Sequence, residues 1–183
     1  MAEEKIDPHG PGQPSAWVAR WSESVPARGT VLDVACGSGR HARFFAARGY
    51  RVDAVDRDAA AIASLRGIVG VTAVCADMEG GEWPYRGRVF EGVVVTRYLH
   101  RPLMSLLVDA VAPGGVLIYE TFAVGQERYG RPRNPDHLLQ PGELLEAVRG
   151  RLRVAGYENI LIADPAPACI QRICALREPA IAR

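Results

Sequence analysis

The stretch Val31-Leu32-Asp33-Val34-Ala35-Cys36-Gly37-Ser38-Gly39-Arg40-His41-Ala42 constrains this chain more than any other. It reads as a short apolar strand, a turn of small residues and the start of a helix. Gly37, Gly39 and Ala42 stand at the spacing G-x-G-x-x-G/A. Small residues let the backbone turn sharply and approach a ligand closely. The pattern gains meaning only if the strand–turn–helix unit recurs along the chain.

It does recur. Ser15 is placed to cap a helix over Ala16–Ser22, with Trp17, Val18 and Trp21 on one face. Arg40–Arg48 is helical and stops at Gly49. Arg51–Val55 is a strand, and Asp58 caps a helix over Ala59–Arg66. Val71–Val74 and the β-branched run Val89–Thr96 are strands. Pro102 opens a helix whose Leu103, Leu106, Leu107 and Ala110 share a face, and Pro113-Gly114-Gly115 ends it. Val116–Tyr119 is a fifth strand, residues 123–140 a long polar loop, and Gly142–Arg149 a helix. Strands near Leu152–Tyr157 and Ile170–Leu176 flank a turn at Asp164-Pro165-Ala166-Pro167. Helix-length crossovers imply a parallel sheet with helices on both faces, while the last two strands, with no helix between them, run antiparallel. The expected fold is one α/β domain over residues 15–183, Rossmann-like and doubly wound, behind a flexible tail of residues 1–14. Ligands of such sheets bind at the carboxyl ends of the strands, where the strand order reverses.

Acidic residues sit at those ends. Asp56 closes the second strand, about 20 residues beyond the first glycine, where a carboxylate can take both hydroxyls of a ribose. A nicotinamide dinucleotide and S-adenosylmethionine (AdoMet) both fit so far. Asp33 separates them, because a carboxylate beside the glycines would repel a pyrophosphate. AdoMet has no phosphate and carries a sulfonium and an ammonium. Asp77, after the third strand, can accept from an adenine amino group.

VLDVACGSGRHARFFAARGY resembles motif I of class I AdoMet-dependent methyltransferases. VDAVDRDAAAI is similar to their second motif and VCADME to their adenine-holding segment. FEGVVVTRYLHRPL and GGVLIYETF resemble their fourth and fifth strands. ERYGRPRNPDHLLQPGELLE further resembles small bacterial methyltransferases of the tellurite-resistance type. The resemblance covers residues 29–122 and continues more weakly to the end. It implies a mostly parallel seven-stranded sheet with a final antiparallel strand. It also implies Gly37 and Gly39 behind the methionine moiety, Asp56 at the ribose, Asp77 at the adenine amino group and Met78 against the adenine face. Asp33, Ala35, Arg57 and Thr96 complete the expected cofactor set. The family often has glycine where this chain has Ala35, and alanine fits there if its φ is negative.

Tyr98 and His100 follow the fourth strand and Glu120 ends the fifth. These three are candidate bases for a nitrogen or oxygen nucleophile; a sulfur, selenium or tellurium nucleophile needs none. His41 is expected at the solvent or the substrate mouth. Arg131 and Arg133 are expected to hold an anionic acceptor under the 123–140 loop. The 22 basic and 21 acidic side chains leave a net charge of +1, which is no footprint for nucleic acid. No apolar run approaches the ~20 residues of a membrane span, and the first residues lack the apolar core of a signal peptide. The four cysteines have no CxxC or zinc spacing, and three of them sit inside or beside apolar runs and read as buried thiols, with Cys36 in the Gly-rich turn; no metal is expected. The sequence thus points to a cytoplasmic AdoMet-dependent methyltransferase of a small-molecule acceptor, a monomer or small homo-oligomer. The alternatives are an NAD(P)-dependent oxidoreductase and a nonenzymatic AdoMet-binding protein.

Overall fold

The structure, a computed structural model, describes residues 12–163 and 166–180. Most of the expected tail, and Asp164-Pro165 of the last turn, lie outside these residues. Seven strands form one sheet in the order β3-β2-β1-β4-β5-β7-β6. They are β1 (Thr30–Val34), β2 (Arg51–Asp56), β3 (Val71–Cys75), β4 (Phe90–Thr96), β5 (Val111–Phe122), β6 (Arg153–Ile162) and β7 (Ala168–Leu176). β1 to β5 pair in parallel, and β7 alone is reversed, antiparallel to both β5 and β6. The helices are α1 (Ala16–Trp21), α2 (Arg40–Ala46), α3 (Ala59–Ala63), α4 (Met104–Asp109) and α5 (Glu143–Val148).

The central strands are buried on both faces, which explains why they read as continuous apolar runs. Their alternation builds two cores. Leu32, Val34, Val93 and Val95 pack with Leu107 of α4 and Leu144 of α5. Val31 and Val94 pack on the opposite face with Trp17 of α1, Phe45 of α2 and Ile62 of α3. β1 lies between β2 and β4, so the chain leaves it in both directions, and the crevice opens at the carboxyl ends of β1 and β4.

Three expectations need correction. The helix after Pro102 ends at Asp109, and Pro113-Gly114-Gly115 lies within β5 as a bulge between the Phe90↔Val111 and Gly92↔Val116 pairs. The Phe90 amide already bonds to Ala110 O, so the sheet claims this segment before the helix could continue. Leu106 is an exposed residue of α4, whereas Leu103, Leu107 and Ala110 are buried. The 123–140 loop is also more ordered than its polarity suggests. It carries 3-10 turns at Gln126–Arg128 and Pro135–His137 and an Ala123↔Leu139 bridge. Arg101 stitches it down, donating to Asp136 O, Leu138 O and both Glu143 carboxylate oxygens.

Trp17 and Trp21 pack as helix side chains, as their spacing implies, with rings 5.7 Å apart. Trp17 Nε1 donates to Ile173 O. Trp21 sits directly over Gly156 of β6, where an added Cβ would lie 2.5 Å from its ring. Gly156→Ala should therefore destabilise by about 1–3 kcal/mol, the cost of overpacking. Thermal melting followed by tryptophan fluorescence would check this, with an unchanged midpoint as the contrary result.

Candidate active site

Two carboxylates hold the turn after β1. Asp33 Oδ2 accepts the Ala42 amide of α2 at 2.9 Å from inside the core, where the residue is 1% exposed. Asp56 Oδ2, from the end of β2, accepts the Gly37 amide at 2.8 Å, and its Oδ1 accepts from Asp58 N at 2.9 Å. Gly37 takes φ +54°, with open space where a side chain would be. Gly39, at φ +77°, enters α2, and a Cβ there would meet Leu65 at 2.4 Å. Gly39 therefore makes room for the Leu65 side chain just after α3, and it does not line the cleft.

That cleft has a volume of about 360 Å³, within the range of small-molecule sites. Of the expected cofactor residues, Ala35, Gly37, Asp56, Arg57, Asp77, Met78 and Thr96 line it. Asp33 does not, because its side chain points to α2. Burial pushes the Asp33 carboxyl up to about 7, against the opposing pull of the Ala42 amide. Its weight as a fixed negative charge, used above to separate two cofactors, is therefore small. Ala35 adopts φ +51°, contrary to the negative φ expected. This left-handed geometry costs an L-residue about 1–2 kcal/mol. Arg97 adopts φ +54° at the end of β4. Two of the strained non-glycine positions thus border the cleft, the usual place for stored backbone strain.

Sequence reasoning missed Arg40 and His137 as cleft residues, whereas Arg97 and Thr121, at the carboxyl ends of β4 and β5, line the cleft as their positions suggest. Burial and the neighbouring charge of Arg97 both lower the Arg40 pKa, so two guanidiniums converge on one wall. The Asp77 carboxyl is held below its usual range by the amides of Glu79 and Gly80. The Cys36 thiol is pushed well up, first by burial and then by Asp33 and Asp56, so it is no nucleophile.

His41 is buried, not at a mouth. Its Nε2 accepts from Ser15 N at 3.2 Å, and burial lowers its pKa to about 3, so it is neutral. Among the candidate bases, Tyr98 lines the cleft, but burial and Glu79 raise its pKa, so the phenol keeps its proton. His100 does not line the cleft; His137, from the loop, does. Glu120 lies in an adjoining cavity of about 280 Å³ and pairs with Arg172 at 3.0 Å. Arg97, Thr121 and Phe122 line both cavities. Arg131 lines the second cavity as well as a depression on the surface, whereas Arg133 borders only the depression.

A strand-order reversal, a turn pinned by Asp33 and Asp56 and a further acid after β3 are the features expected of class I AdoMet-dependent methyltransferases. Residues 31–115 match the family model of the methyltransferase domain. That match favours a methyltransferase over the dinucleotide oxidoreductase alternative. TehB from Haemophilus influenzae is similar in structure at 15% identity, with a TM-score of 0.71 over 88% of this chain. This chain spans 61% of that protein's length. A TehB-like SAM-dependent methyltransferase from Corynebacterium glutamicum is 16% identical, with a TM-score of 0.65 over 91% of this chain and 90% of its own. An S-adenosylmethionine dependent methyltransferase from Mesorhizobium loti is 16% identical, with a TM-score of 0.68 over 89% and 99%. No curated protein matches the sequence. No described helix is long and apolar enough to cross a membrane, and no described cluster of side chains has the composition of a metal site.

Asp33 offers a test by pH. Its folded-state pKa of about 7 lies above its ordinary 3.8, so the folded protein holds the proton more tightly. Stability from this group is full below about pH 4 and is lost as pH rises through 7. Asp33→Asn keeps an oxygen for the Ala42 amide and cannot ionise. Relative to this variant, the wild type should lose melting temperature steadily between pH 4 and 7. A constant difference across that window would show that Asp33 does not titrate there.

Proposed function

We propose that the protein methylates a small anionic acceptor, with the methyltransferase domain running over residues 15–183. The observation that carries this reading is the pair of cavities joined at Arg97, Thr121 and Phe122. Bound AdoMet supplies a methyl group on a positively charged sulfur. Asp56 has lone pairs left beyond its two backbone bonds for the ribose hydroxyls. Asp77 receives the adenine amino group, and Met78, Ala76 and Leu99 supply apolar wall for the purine. Ala35 and Gly37 let the chain approach the methionine moiety. Arg40 and Arg97 take its carboxylate, an anion that relieves the repulsion between the two guanidiniums. The fit of these donors and acceptors supports AdoMet in the larger cavity.

The acceptor then lies in the second cavity, with its nucleophile towards the shared wall. Positioning in line with the methyl supplies most of the rate. The carbon–sulfur bond breaks with its electron pair on sulfur, a bond forms from the acceptor's nucleophile, and any proton that nucleophile carries passes to solvent. Tyr98, with its proton retained, is a donor and not a base. Glu120 is held by Arg172, and His137 is the imidazole at the cleft. The four free cysteines suit a reducing, cytoplasmic setting.

The cofactor assignment is checked by melting with ligands. A ligand at 100 times its dissociation constant stabilises by ~2.7 kcal/mol. S-adenosylhomocysteine should raise the melting temperature, NAD should not, and Asp56→Ala should weaken S-adenosylhomocysteine by about 1.5–3 kcal/mol. A shift with NAD alone would refute the assignment, and binding without methyl transfer to any small acceptor would leave a nonenzymatic AdoMet-binding protein. The carboxylate assignment has its own test. Arg97→Met should lower affinity for S-adenosylhomocysteine while leaving 5′-methylthioadenosine, which lacks the amino-acid portion, unchanged. Equal losses for both would place Arg97 elsewhere in the site.

A further inference from the structure

The second cavity has a chemistry of its own. Phe122, Ile162, Ile170 and the Tyr129 ring give it apolar lining. Among the described residues, its charged lining is Arg97, Arg131 and Glu120. Glu120 and Glu158 both pair with Arg172, at 3.0 and 2.6 Å. Arg97 faces the cofactor's carboxylate and Arg172 the two glutamates, which leaves Arg131 as the cation for an acceptor among the described residues. The charges also have a direction. Arg97 is shared with the cofactor cleft and so marks the inner end, while Arg131 is shared with the surface depression and marks the outer end.

At about 280 Å³ the cavity exceeds the roughly 150 Å³ of an apolar cavity that takes up benzene, so a single ring with substituents fits it. A bare inorganic oxyanion would leave the apolar wall uncovered and would give up hydration beside it without compensating hydrogen bonds. A neutral ring would leave Arg131 without a counter-charge. Sites of this kind bind through apolar surface, and a few polar groups fix the orientation.

Resting on the small-acceptor reading above, we infer that the acceptor is a single-ring organic acid. Its ring lies against Phe122, Ile162, Ile170 and Tyr129, its anionic group reaches Arg131, and its nucleophile points inward to the Arg97–Thr121 wall. Arg131 and Tyr129 are both exposed on the loop, and neither lines the cofactor cleft, so they can be changed without touching the core.

Calorimetric titration of the full chain saturated with S-adenosylhomocysteine tests this with three probes: 4-hydroxybenzoate, phenol and selenite. 4-Hydroxybenzoate should bind at least tenfold more tightly than either of the others. Arg131→Met should bring it down to the level of phenol, and Tyr129→Ala should weaken both ring compounds, with S-adenosylhomocysteine affinity unchanged in each variant. Tighter binding of selenite would overturn the ring-acid inference and leave the small anionic acceptor standing. Tight binding of 4-hydroxybenzoate that neither variant alters would overturn the placement in this cavity. If none of the three binds, the inference falls together with the small-acceptor reading. Failure to saturate with S-adenosylhomocysteine would instead refute the cofactor assignment.

Discussion

A turn that faces a ligand cannot be held by the ligand alone, and here two carboxylates hold it from opposite sides. Asp33 grips the Ala42 amide from within the core, fixing α2 against β1. Asp56 grips the Gly37 amide from the neighbouring strand, fixing the turn against β2. Between them lie Ala35 and Cys36, with Ala35 in a left-handed conformation that the flanking bonds sustain. The Asp56 bond also fixes the carboxylate itself. An acid already oriented by two amides loses less freedom on meeting a ribose than one on an untethered side chain would.

The opposite wall is built by buried amides and one arginine. Gln126 accepts from Cys169 N at 3.0 Å and donates to Arg131 O at 3.2 Å, tying the loop to β7. Gln171 accepts from Leu144 N and donates to Gln140 O, joining β7 to α5 and the loop's far end. Arg101 closes the remaining side. The roof over both cavities is thereby anchored at Gln126, Arg131, Asp136, Leu138 and Gln140, while the side chains of Arg131 and Tyr129 stay at the surface.

The sheet was legible in the sequence because its strands are buried on both faces and so read as short β-branched runs between turn residues. β5 was read four residues long because Pro113-Gly114-Gly115 breaks its pattern, although backbone bonds with Arg177 hold that bulge in place. Much of the cleft's lining was legible too, since Gly37, Asp56 and Asp77 stand at strand ends where spacing places them, while Met78 came with the methyltransferase resemblance. What was missed depended on side-chain direction. Asp33 reached the right class of cofactor for a reason that the structure removes, because its carboxyl faces α2 and burial pushes it up to about 7. His41 and Arg40 are adjacent in sequence, yet one is in the core and the other in the cleft. His137 could not be chosen over His100, because only the folded loop brings it across from residue 137 to the end of β4.

The same directions bear on how the reaction is accelerated. A base must be deprotonated and within hydrogen-bond reach of the proton it removes. Tyr98 holds its proton, Glu120 is engaged by Arg172 in the neighbouring cavity, and His100 does not line the cleft. The three candidates are thus poorly placed to take a proton, which leaves His137 as the imidazole lining the cleft and puts weight on orientation. Under the proposed reading, the shared wall of Arg97, Thr121 and Phe122 sets the approach, and Arg131 at the outer end favours an acceptor that arrives as an anion. An anionic acceptor must give up hydration to enter, and the positive charge at Arg131 offsets part of that cost. Binding and orientation would thus be supplied by one feature, a cation beside an apolar lining.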